Sequence, residues 1–578
     1  MKIHFSSKQT ALLGHDLFLI VITALTAGCG LIYEYLLAHY AGRILGAVET
    51  VIYAIIGLMI VSMGAGSFAA RLVRAPFTGF AWLEALIALL GAGMVLFLAT
   101  VFSFAHLFPQ IIAETFGLPE ELAPQGNFFA DLLALVRLAP YLMSIIMGFM
   151  IGMEIPLIAR VRELLHEQHL IHNTGAIYGA DYIGAGIGAA CWILAMLGME
   201  ITRAAAATAL VNVLAGLLFL ILYWRFIQGG KWLLMILFLV LTLTLVVMHH
   251  GQSWSERLED TLYQDQVIHR TNTPYQRLTL TRRAGSPQRQ PVYRFYIDGR
   301  LQFSSNDEHI YHAMLVEPAM AAAARQKQIL IIGGGDGLAL RNVLRWNPDS
   351  VTLLELDPEV VALFSHPVQV AGRPINAPFL QLNGGSFADP RVRIRYGDAF
   401  VTVDALLADK QAFDVILVDL PDPGHPDLDK LYSAYFYAKL KNLLTHDGTL
   451  AVQSTSPYHA REAFLCVGVT LRHAGFKHVE PYHQNVPSFG EWGWTLATQQ
   501  ELPASQRLRN LDPASLRDPW LTREIMVGAF AFGQGFFSGL ENIQVNRLGS
   551  QHMYRYHHEA WVREQGRYQQ PTASTAHQ

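Results

Sequence analysis

Residues Gln328–Gly337 read Gln-Ile-Leu-Ile-Ile-Gly-Gly-Gly-Asp-Gly, an aliphatic run that ends in four glycines and one aspartate. Ile329–Ile332 is apolar without alternation, which is typical of a parallel strand covered on both faces. Glycines allow the backbone to turn tightly and to approach a ligand before a helix begins. The segment therefore predicts a buried strand that opens onto a bound nucleoside or nucleotide.

Downstream of this segment, strand-like and helix-like stretches alternate. Such alternation predicts a mainly parallel, doubly wound α/β sheet of the Rossmann-like type, with ligands at the carboxyl ends of the strands. The predicted strands are 329–332, 351–356, 392–396, 413–419, 450–453 and 494–497. The predicted helices are 338–345, 358–364, 400–408, 432–444 and 460–474.

Acidic residues follow the glycine-rich turn at three further predicted strand ends. Glu355 lies about 20 residues after the turn, where a carboxylate can bind both ribose hydroxyls. Asp398 ends the third strand, and Asp419 and Asp422 follow the fourth. Each feature is weak alone, because an aspartate after a strand is often only a helix N-cap. Four in succession indicate a shared site for an adenosyl ligand.

The turn itself does not fit a phosphate loop. Such a loop carries a lysine directly after its last glycine, whereas the nearest basic residue here is Arg341, one turn into the helix. Asp336 lies within the turn instead. The acidic pocket favours a cationic ligand such as a sulfonium, an amine or both.

The N-terminal part of the chain is of a different class. The 578-residue sequence is 52% hydrophobic and only 15% charged, and most of the apolar excess precedes residue 250. A helix of about 20 apolar residues spans the hydrocarbon layer of a membrane. Seven helical spans are predicted, at about 16–38, 50–70, 80–106, 138–158, 174–198, 203–223 and 231–249.

The domain organisation follows from these patterns. We predict a transmembrane helical bundle over 1–250 and a linker or surface helix over 251–266. A small antiparallel β unit over 267–306 and the Rossmann-like domain over 307–500 follow. A C-terminal extension covers 501–578, and its end, from about residue 566, is predicted to be disordered.

The bundle carries features beyond its hydrophobicity. Two pairs of glycines in the fifth span, Gly175 with Gly179 and Gly184 with Gly188, have the spacing of close helix packing. Ionisable residues at membrane depth indicate interhelical ion pairs or a polar pathway. They are Glu34, Glu84, Arg137, Glu154 and Asp181.

Membrane topology presents a conflict. The distribution of Lys and Arg places the N-terminus in the cytoplasm, and seven crossings then place the soluble domain outside. An enzyme that uses a nucleoside donor is expected inside. Either a hidden or re-entrant segment near Phe102–Phe116 changes the number of crossings, or the catalytic domain is exported. We predict a multi-pass inner-membrane protein with a cytoplasmic catalytic domain.

The bulk composition excludes several other classes. A net charge of −4 gives no basic face for nucleic acid. Three distant cysteines and 23 histidines show no metal-ligand spacing, so no metal site is predicted. The pairs His249-His250 and His557-His558 are interpreted as solvated residues.

Residues from about 265 to 500 resemble the spermidine synthase family of polyamine aminopropyltransferases, and residues 1–250 resemble the membrane-spanning extension of some bacterial members. The resemblance rests above all on an Asp-Glu-x-x-Tyr-His helix followed by Gly-Gly-Gly-Asp-Gly. The matching pieces are Tyr275-Gln276, Asp307–Leu315, Gly333–Gly337, Leu354–Asp357, Asp389–Val392, Gly397–Ala399, Asp419–Pro423 and Pro426.

The resemblance implies a reaction and a set of roles. Decarboxylated S-adenosylmethionine would be the co-substrate, with no bound cofactor, and its aminopropyl group would pass to putrescine or a related amine. Asp419 would be the general base, and the chain would form a homodimer. The implied donor-binding residues are Gln276, Gly333, Gly335, Asp336, Glu355, Asp398, Ala399 and Pro426. The implied acceptor-binding residues are Tyr311, His312, Asp336, Asp419, Asp422 and Glu491.

The chain departs from the family pattern on the acceptor side. Leu420-Pro421 separates the two aspartates, and Phe489 stands where the family has a tyrosine that touches the amine. The carboxylate of Glu491 would favour a longer polyamine or be a surface group. Two other functions stay open: a membrane-bound S-adenosylmethionine methyltransferase, and a polyamine transporter or sensor whose binding domain has no activity.

Overall fold

The computed structural model describes residues 7–45, 48–115, 127–167, 173–261, 263, 265–285, 290–370 and 372–564. The chain divides into two compact units, Met1–Gln264 and Asp265–Gln578. The segment from about residue 566, for which disorder is predicted, lies outside these residues.

The first unit consists of long apolar helices. Within the described residues, seven helical segments are long and apolar enough to cross a membrane, which confirms the predicted number of helices. The described residues of this unit form eight α-helices, α1 (Ser7–Leu45), α2 (Val48–Ala69), α3 (Pro76–Thr115), α4 (Asn127–Val136), α5 (Ala139–His166), α6 (Asn173–Cys191), α7 (Ile201–Leu222) and α8 (Gly230–Asp260). Helices α4 and α5 together make up one of the seven segments.

Helices α1, α3, α5 and α8 extend beyond their predicted spans, and two of these extensions bear on other predictions. Helix α3 continues through Phe102 to Thr115, so the described part of the proposed hidden segment is the end of this helix. Helix α8 continues to Asp260, so most of the predicted linker is its last turns.

Glycines bring α1 and α6 into close contact. A Cβ atom on Gly184 would lie 2.0 Å from a carbonyl oxygen of α1, and one on Gly188 would lie 2.5 Å from another. A Cβ on Gly175 or Gly179 would have no atom within 4 Å. Only the second of the two predicted glycine pairs therefore packs against a described neighbour.

Buried polar groups interact with one another inside the bundle. Glu84 and Glu154 are 0% and 4% exposed. The Asn212 side chain donates to Glu84 Oε2 at 2.8 Å, and the Tyr33 hydroxyl donates to Asn212 Oδ1 at 3.1 Å. This chain of hydrogen bonds offsets part of the cost of a carboxyl group among apolar helices.

The second unit begins with the predicted antiparallel β unit. Its strands β1 (Gln266–Asn272), β2 (Arg277–Arg283), β3 (Val292–Ile297) and β4 (Arg300–Ser304) pair in sequence order. Leu278, Leu280, Phe295 and Phe303 on its inner face are buried against helices of the next layer.

A seven-stranded sheet forms the centre of the second unit in the described residues. Its strands are β5 (Gln328–Gly333), β6 (Ser350–Glu355), β9 (Val392–Tyr396), β10 (Phe413–Asp419), β11 (Leu444–Gln453), β12 (His478–Val486) and β13 (Gly490–Thr498). Their order is β12-β13-β11-β10-β5-β6-β9. A two-stranded hairpin, β7 (Gln369–Val370) with β8 (Arg373–Pro374), lies outside this sheet.

Helices cover both faces of the sheet. Ile329 and Ile331 of β5 are buried in one core, whereas Leu330 and Ile332 are buried in the core of the other face. Burial on both sides explains the unbroken aliphatic run. The helices are α9 (Glu308–Ala322), α10 (Leu338–Leu344), α11 (Pro358–Ser365), α12 (Ala377–Leu382), α13 (Ala399–Ala408), α14 (Pro426–Asp429), α15 (Ala434–Leu443), α16 (Arg461–His473), α17 (Ala504–Arg509), α18 (Arg523–Gly528) and α19 (His552–Glu564).

The strand order reverses between β5 and β10. From β5 the chain adds β6 and β9 on one side, and then β10 and β11 on the other. The carboxyl ends of β5 and β10 meet, with Gly333 paired with Asp419. Open α/β sheets bind ligands at such a switch point, so the topology places the glycine-rich turn and Asp419 at the expected crevice.

Two parts of the second unit differ from the sequence expectation. Strand β12 was not predicted, because His, Glu, Pro, Gln and Asn interrupt any alternation of apolar residues. The C-terminal extension packs on the sheet domain: Leu508 and Met526 join one core, and Met553 and Ala560 join the other.

Candidate active site

The glycine-rich turn lies between Asp419, at the end of β10, and Glu355, at the end of β6. Gly333 and Gly334 have positive φ angles of 80° and 71°, which favour glycine. A Cβ atom on Gly333 would lie 2.1 Å from the carbonyl oxygen of Asp419. A Cβ on Gly335 would lie 2.6 Å from Glu355 Oε2. The turn therefore allows the ends of three strands to approach each other closely.

Asp336 lies inside this turn. Its Oδ1 accepts a hydrogen bond from Leu338 N at 2.9 Å, at the start of α10. The residue as a whole is half-buried. This burial raises the pKa of Asp336 to about 6, with the charge of Asp419 adding to the effect and that of His312 opposing it.

Asp419 and Tyr311 form the centre of the site. The Tyr311 hydroxyl, on α9, donates to Asp419 Oδ1 at 2.7 Å. Burial raises the pKa of Asp419, although the charge of His312 and the hydrogen bond from Tyr311 act in the opposite direction. A carboxylate of raised basicity next to an open crevice is suited to accept a proton.

Three ionisable residues beside Tyr311, namely Glu308, His312 and Arg341, interact with one another. His312 Nδ1 is 3.0 Å from Glu308 Oε2, and Arg341 donates to both oxygens of Glu308 at 2.9 and 3.0 Å. Burial alone would raise the pKa of Glu308, but hydrogen bonds from His312 and Arg341 lower it to about 2. Burial opposes protonation of His312, yet its hydrogen bond to Glu308 raises its pKa. The hydrogen bond to Glu308 thus favours a protonated His312 near Asp336 and Asp419.

Glu355 ends β6 on the other side of the turn. Its Oε1 accepts from Asp357 N at 3.0 Å, and burial raises its pKa to about 7. Gln276, from the β unit, contacts Asp357, two residues after Glu355. Its side-chain amide donates to Asp357 Oδ2 at 3.0 Å, and the Thr273 hydroxyl donates to the same oxygen at 2.7 Å. Asp357 therefore ties the β unit to the sheet beside the crevice, a role that the sequence did not indicate.

Asp398 is engaged by protein groups. It is the N-cap of α13, which begins at Ala399, and its Oδ1 accepts from Phe400 N at 2.9 Å. Lys430 donates to Oδ2 at 2.6 Å. Pro426 begins α14, in the segment that carries Lys430. The partner of Asp398 was missed because a lysine 32 residues away in sequence gives no local signal.

Asp422 receives contacts from two distant segments. Gln453, at the end of β11, donates to Asp422 Oδ1 at 3.2 Å. His557 Nε2, on α19, lies 3.4 Å from Asp422 Oδ2. His557 is 3% exposed, so its interpretation as a solvated residue is wrong, because α19 packs its inner face on the sheet domain. His558, in contrast, is exposed.

The β12–β13 hairpin places Phe489 and Glu491 differently. The ring of Phe489 lies 6.1 Å from that of Tyr311. The carboxylate of Glu491 contacts His483 Nδ1 across the hairpin. The structure therefore brings Phe489 to the Tyr311 side of the site, whereas Glu491 has a partner on its own hairpin.

Within the described residues, no group of three His, Cys, Asp or Glu side chains is arranged to hold a metal ion.

Comparisons with known proteins give matches to the second unit and to nearly the whole chain. A family model described as the spermine/spermidine synthase domain matches residues 308–509. A polyamine aminopropyltransferase from Shewanella oneidensis is 52% identical over 551 residues, covering 95% of this chain and 96% of the relative. One from Oceanobacillus iheyensis is 32% identical, covering 92% and 95%. Polyamine aminopropyltransferase 1 from Streptomyces coelicolor is 33% identical, covering 87% and 89%.

Proposed function

Because this chain belongs to the polyamine aminopropyltransferase family, we propose that it transfers the aminopropyl group of decarboxylated S-adenosylmethionine to putrescine or a related amine. The products are spermidine, or a related polyamine, and methylthioadenosine. The observation that carries the proposal is the pairing of Asp419 with Gly333 across β10 and β5, which brings Asp419, the proposed proton acceptor, to the glycine-rich turn.

The donor would lie along the glycine-rich turn. Its sulfonium and its free ammonium suit Asp336, because the decarboxylated chain has no carboxylate to be repelled. Glu355 would accept from the ribose hydroxyls. Gln276 would reach the nucleoside from the β unit, and Gly333, Gly335, Ala399 and Pro426 would form the walls. Asp398 already forms an ion pair with Lys430, so its carboxylate would bind both Lys430 and the adenine amino group.

The acceptor would approach from the side of Tyr311. A primary alkylammonium has a pKa of roughly 10 and no free electron pair. Asp419 would take one proton, after which the amine nitrogen attacks the carbon next to sulfur. The new C–N bond forms as the C–S bond breaks, and the sulfonium leaves as the neutral thioether of methylthioadenosine. Holding both substrates in line supplies much of the rate enhancement.

Charge and hydrogen bonding assign the remaining acceptor contacts. Asp422 would bind the distal ammonium, and Tyr311 would orient Asp419 through its 2.7 Å hydrogen bond. His312 would act on Asp419 through its positive charge, which the hydrogen bond to Glu308 stabilises. Glu491 would have to leave His483 to reach an amine. We therefore assign acceptor binding to Tyr311, Asp419 and Asp422.

A product assay tests the proposed reaction. The full chain, purified in detergent, is incubated with decarboxylated or intact S-adenosylmethionine and with a panel of diamines and triamines, and the products are identified by mass. We expect methylthioadenosine and an aminopropylated amine with the decarboxylated donor only. Release of adenosylhomocysteine would indicate a methyltransferase. Tight binding without any product would indicate a sensor.

We propose that the seven apolar helices anchor the chain in the cell membrane with the catalytic unit in the cytoplasm. Their number and hydropathy support the anchoring. The cytoplasmic side is favoured because the nucleoside donor is made there, although the positive-inside rule favours the opposite side. A C-terminal fluorescent or phosphatase reporter distinguishes the two sides of the membrane.

The homodimer stays a prediction, which light scattering of the detergent-solubilised chain would test.

Activity should fall in mildly acidic solution. Asp336, with a pKa of about 6, and Glu355, with a pKa of about 7, bind the donor only when ionised. Because burial raises both values, lowering the pH protonates them well before an ordinary carboxylate. We expect the acid limb of kcat/KM for the donor to have an apparent pKa of about 6 to 7. A limb below pH 5 would contradict the assignment.

The substitution Gly335→Ala should weaken donor binding without unfolding the protein. The added Cβ would lie 2.6 Å from Glu355 Oε2, the movable end of a side chain, so the carboxylate can shift away from the ribose position. Loss of a charge-assisted hydrogen bond is worth about 1.5–3 kcal/mol, so the donor KM should rise at least about tenfold. The matched control is Gly528→Ala, where a Cβ meets no atom within 4 Å. Equal donor KM values in both variants would contradict the role of Glu355.

A further inference from the structure

The C-terminal helix α19 delivers a buried imidazole to the acceptor end of the site. His557 is 3% exposed, and its Nε2 lies 3.4 Å from Asp422 Oδ2. The other oxygen of Asp422 accepts from Gln453 at 3.2 Å. Asp422 is thus held from both sides, by β11 and by α19. Its side chain is still 20% exposed, so an ammonium group can reach it.

Several contacts fix His557 in this position. The ring of Trp561, one turn further along α19, packs edge-on against the His557 ring, with 6.2 Å between the two centroids, and leaves Nε2–H to donate to Asp422. The start of the helix is held by Tyr554 N, which donates to Asp429 Oδ1 at 3.0 Å. Met553 and Ala560 are buried in the core beneath the sheet. A helix anchored at these points is a rigid support for one side chain.

We propose that His557 is a positioning residue for the acceptor, acting through Asp422. The inference rests on the proposed function and adds a part of the chain that lies outside the matched family domain, residues 308–509. The imidazole keeps Oδ2 of Asp422 at one orientation, and the carboxylate then binds the distal ammonium of the diamine. Without the imidazole, Asp422 would rotate between orientations, and acceptor binding would lose the benefit of a fixed partner.

The expected effect is specific to the acceptor. A separation of 3.4 Å is longer than an ideal hydrogen bond, so the effect should fall at the lower end of the range for charged partners. We expect His557→Ala to raise the acceptor KM about fivefold to tenfold, with the donor KM unchanged. His557→Gln retains an amide that can donate, and it should recover part of the loss. The matched control is His558→Ala, at the neighbouring exposed position.

A double-mutant cycle tests whether His557 acts through Asp422. In the Asp422→Asn background, His557→Ala should have little further effect on the acceptor KM, because the partner of the imidazole has already lost its charge. Additive effects would overturn the proposal, as would a donor KM that rises together with the acceptor KM. Thermal unfolding of each variant identifies a loss of folding. Failure of the wild-type chain to transfer an aminopropyl group would instead contradict the proposed function.

Discussion

The Asp419→Asn variant should lose about 10²–10⁴-fold in kcat, the usual contribution of a positioned general base. Asparagine has the same shape, and its side-chain oxygen can still accept the hydrogen bond from Tyr311 that now measures 2.7 Å. The amide cannot accept the proton of the attacking ammonium, so the amine keeps no electron pair for the displacement. Methylthioadenosine release under saturating substrates is the measurement.

The neighbouring aspartate provides the comparison for this variant. Asp422→Asn removes a charge only a few residues away, but from the proposed binding end, so it should raise the acceptor KM more than it lowers kcat. Opposite patterns in the two variants would assign the base and the anchor. Methylthioadenosine release that persists undiminished in Asp419→Asn would sink the assignment of the base.

The sequence predicts that Asp336, Glu355 and Asp419 lie at one edge of the sheet, because the signals for this placement are local. The aliphatic run of β5, the glycines after it and the carboxylates at the ends of β6, β9 and β10 are each read from a few adjacent residues. The parallel topology then brings these strand ends to one edge. Asp336, Glu355 and Asp419 accordingly border one crevice around the turn.

Several partners of the proposed site residues could not be predicted in the same way, because their contacts are long-range. His557 lies 135 residues from Asp422, and nothing in its neighbourhood distinguishes it from the exposed His558. The ion pair of Lys430 with Asp398 and the contact of His483 with Glu491 also depend on tertiary packing. Strand β12 was missed because its polar residues conceal the period of a strand. These partners become visible only when the elements are assembled.

The Asp336→Asn variant should lose both donor affinity and donor discrimination. The carboxylate is proposed to pair with the donor ammonium, an interaction worth about 1.5–3 kcal/mol. We therefore expect kcat/KM for decarboxylated S-adenosylmethionine to fall about 10- to 150-fold. The exposed Asp409→Asn, which removes the same charge on the surface, is the matched control and should leave kcat/KM unchanged.

Discrimination between the two nucleosides is the more informative measurement. Asp336→Asn should weaken binding of the decarboxylated donor without weakening binding of intact S-adenosylmethionine. Intact S-adenosylmethionine carries a carboxylate that Asp336 should repel, and two like charges at about 4 Å cost about 4 kcal/mol at an effective dielectric constant of 20. Removing the charge of Asp336 should therefore leave inhibition by intact S-adenosylmethionine unchanged or make it stronger, while the decarboxylated donor binds less well. The ratio of the inhibition constant to the donor KM should fall at least about tenfold. A parallel weakening of both nucleosides would show that Asp336 supports the turn through its hydrogen bond to Leu338 N and does not select the donor.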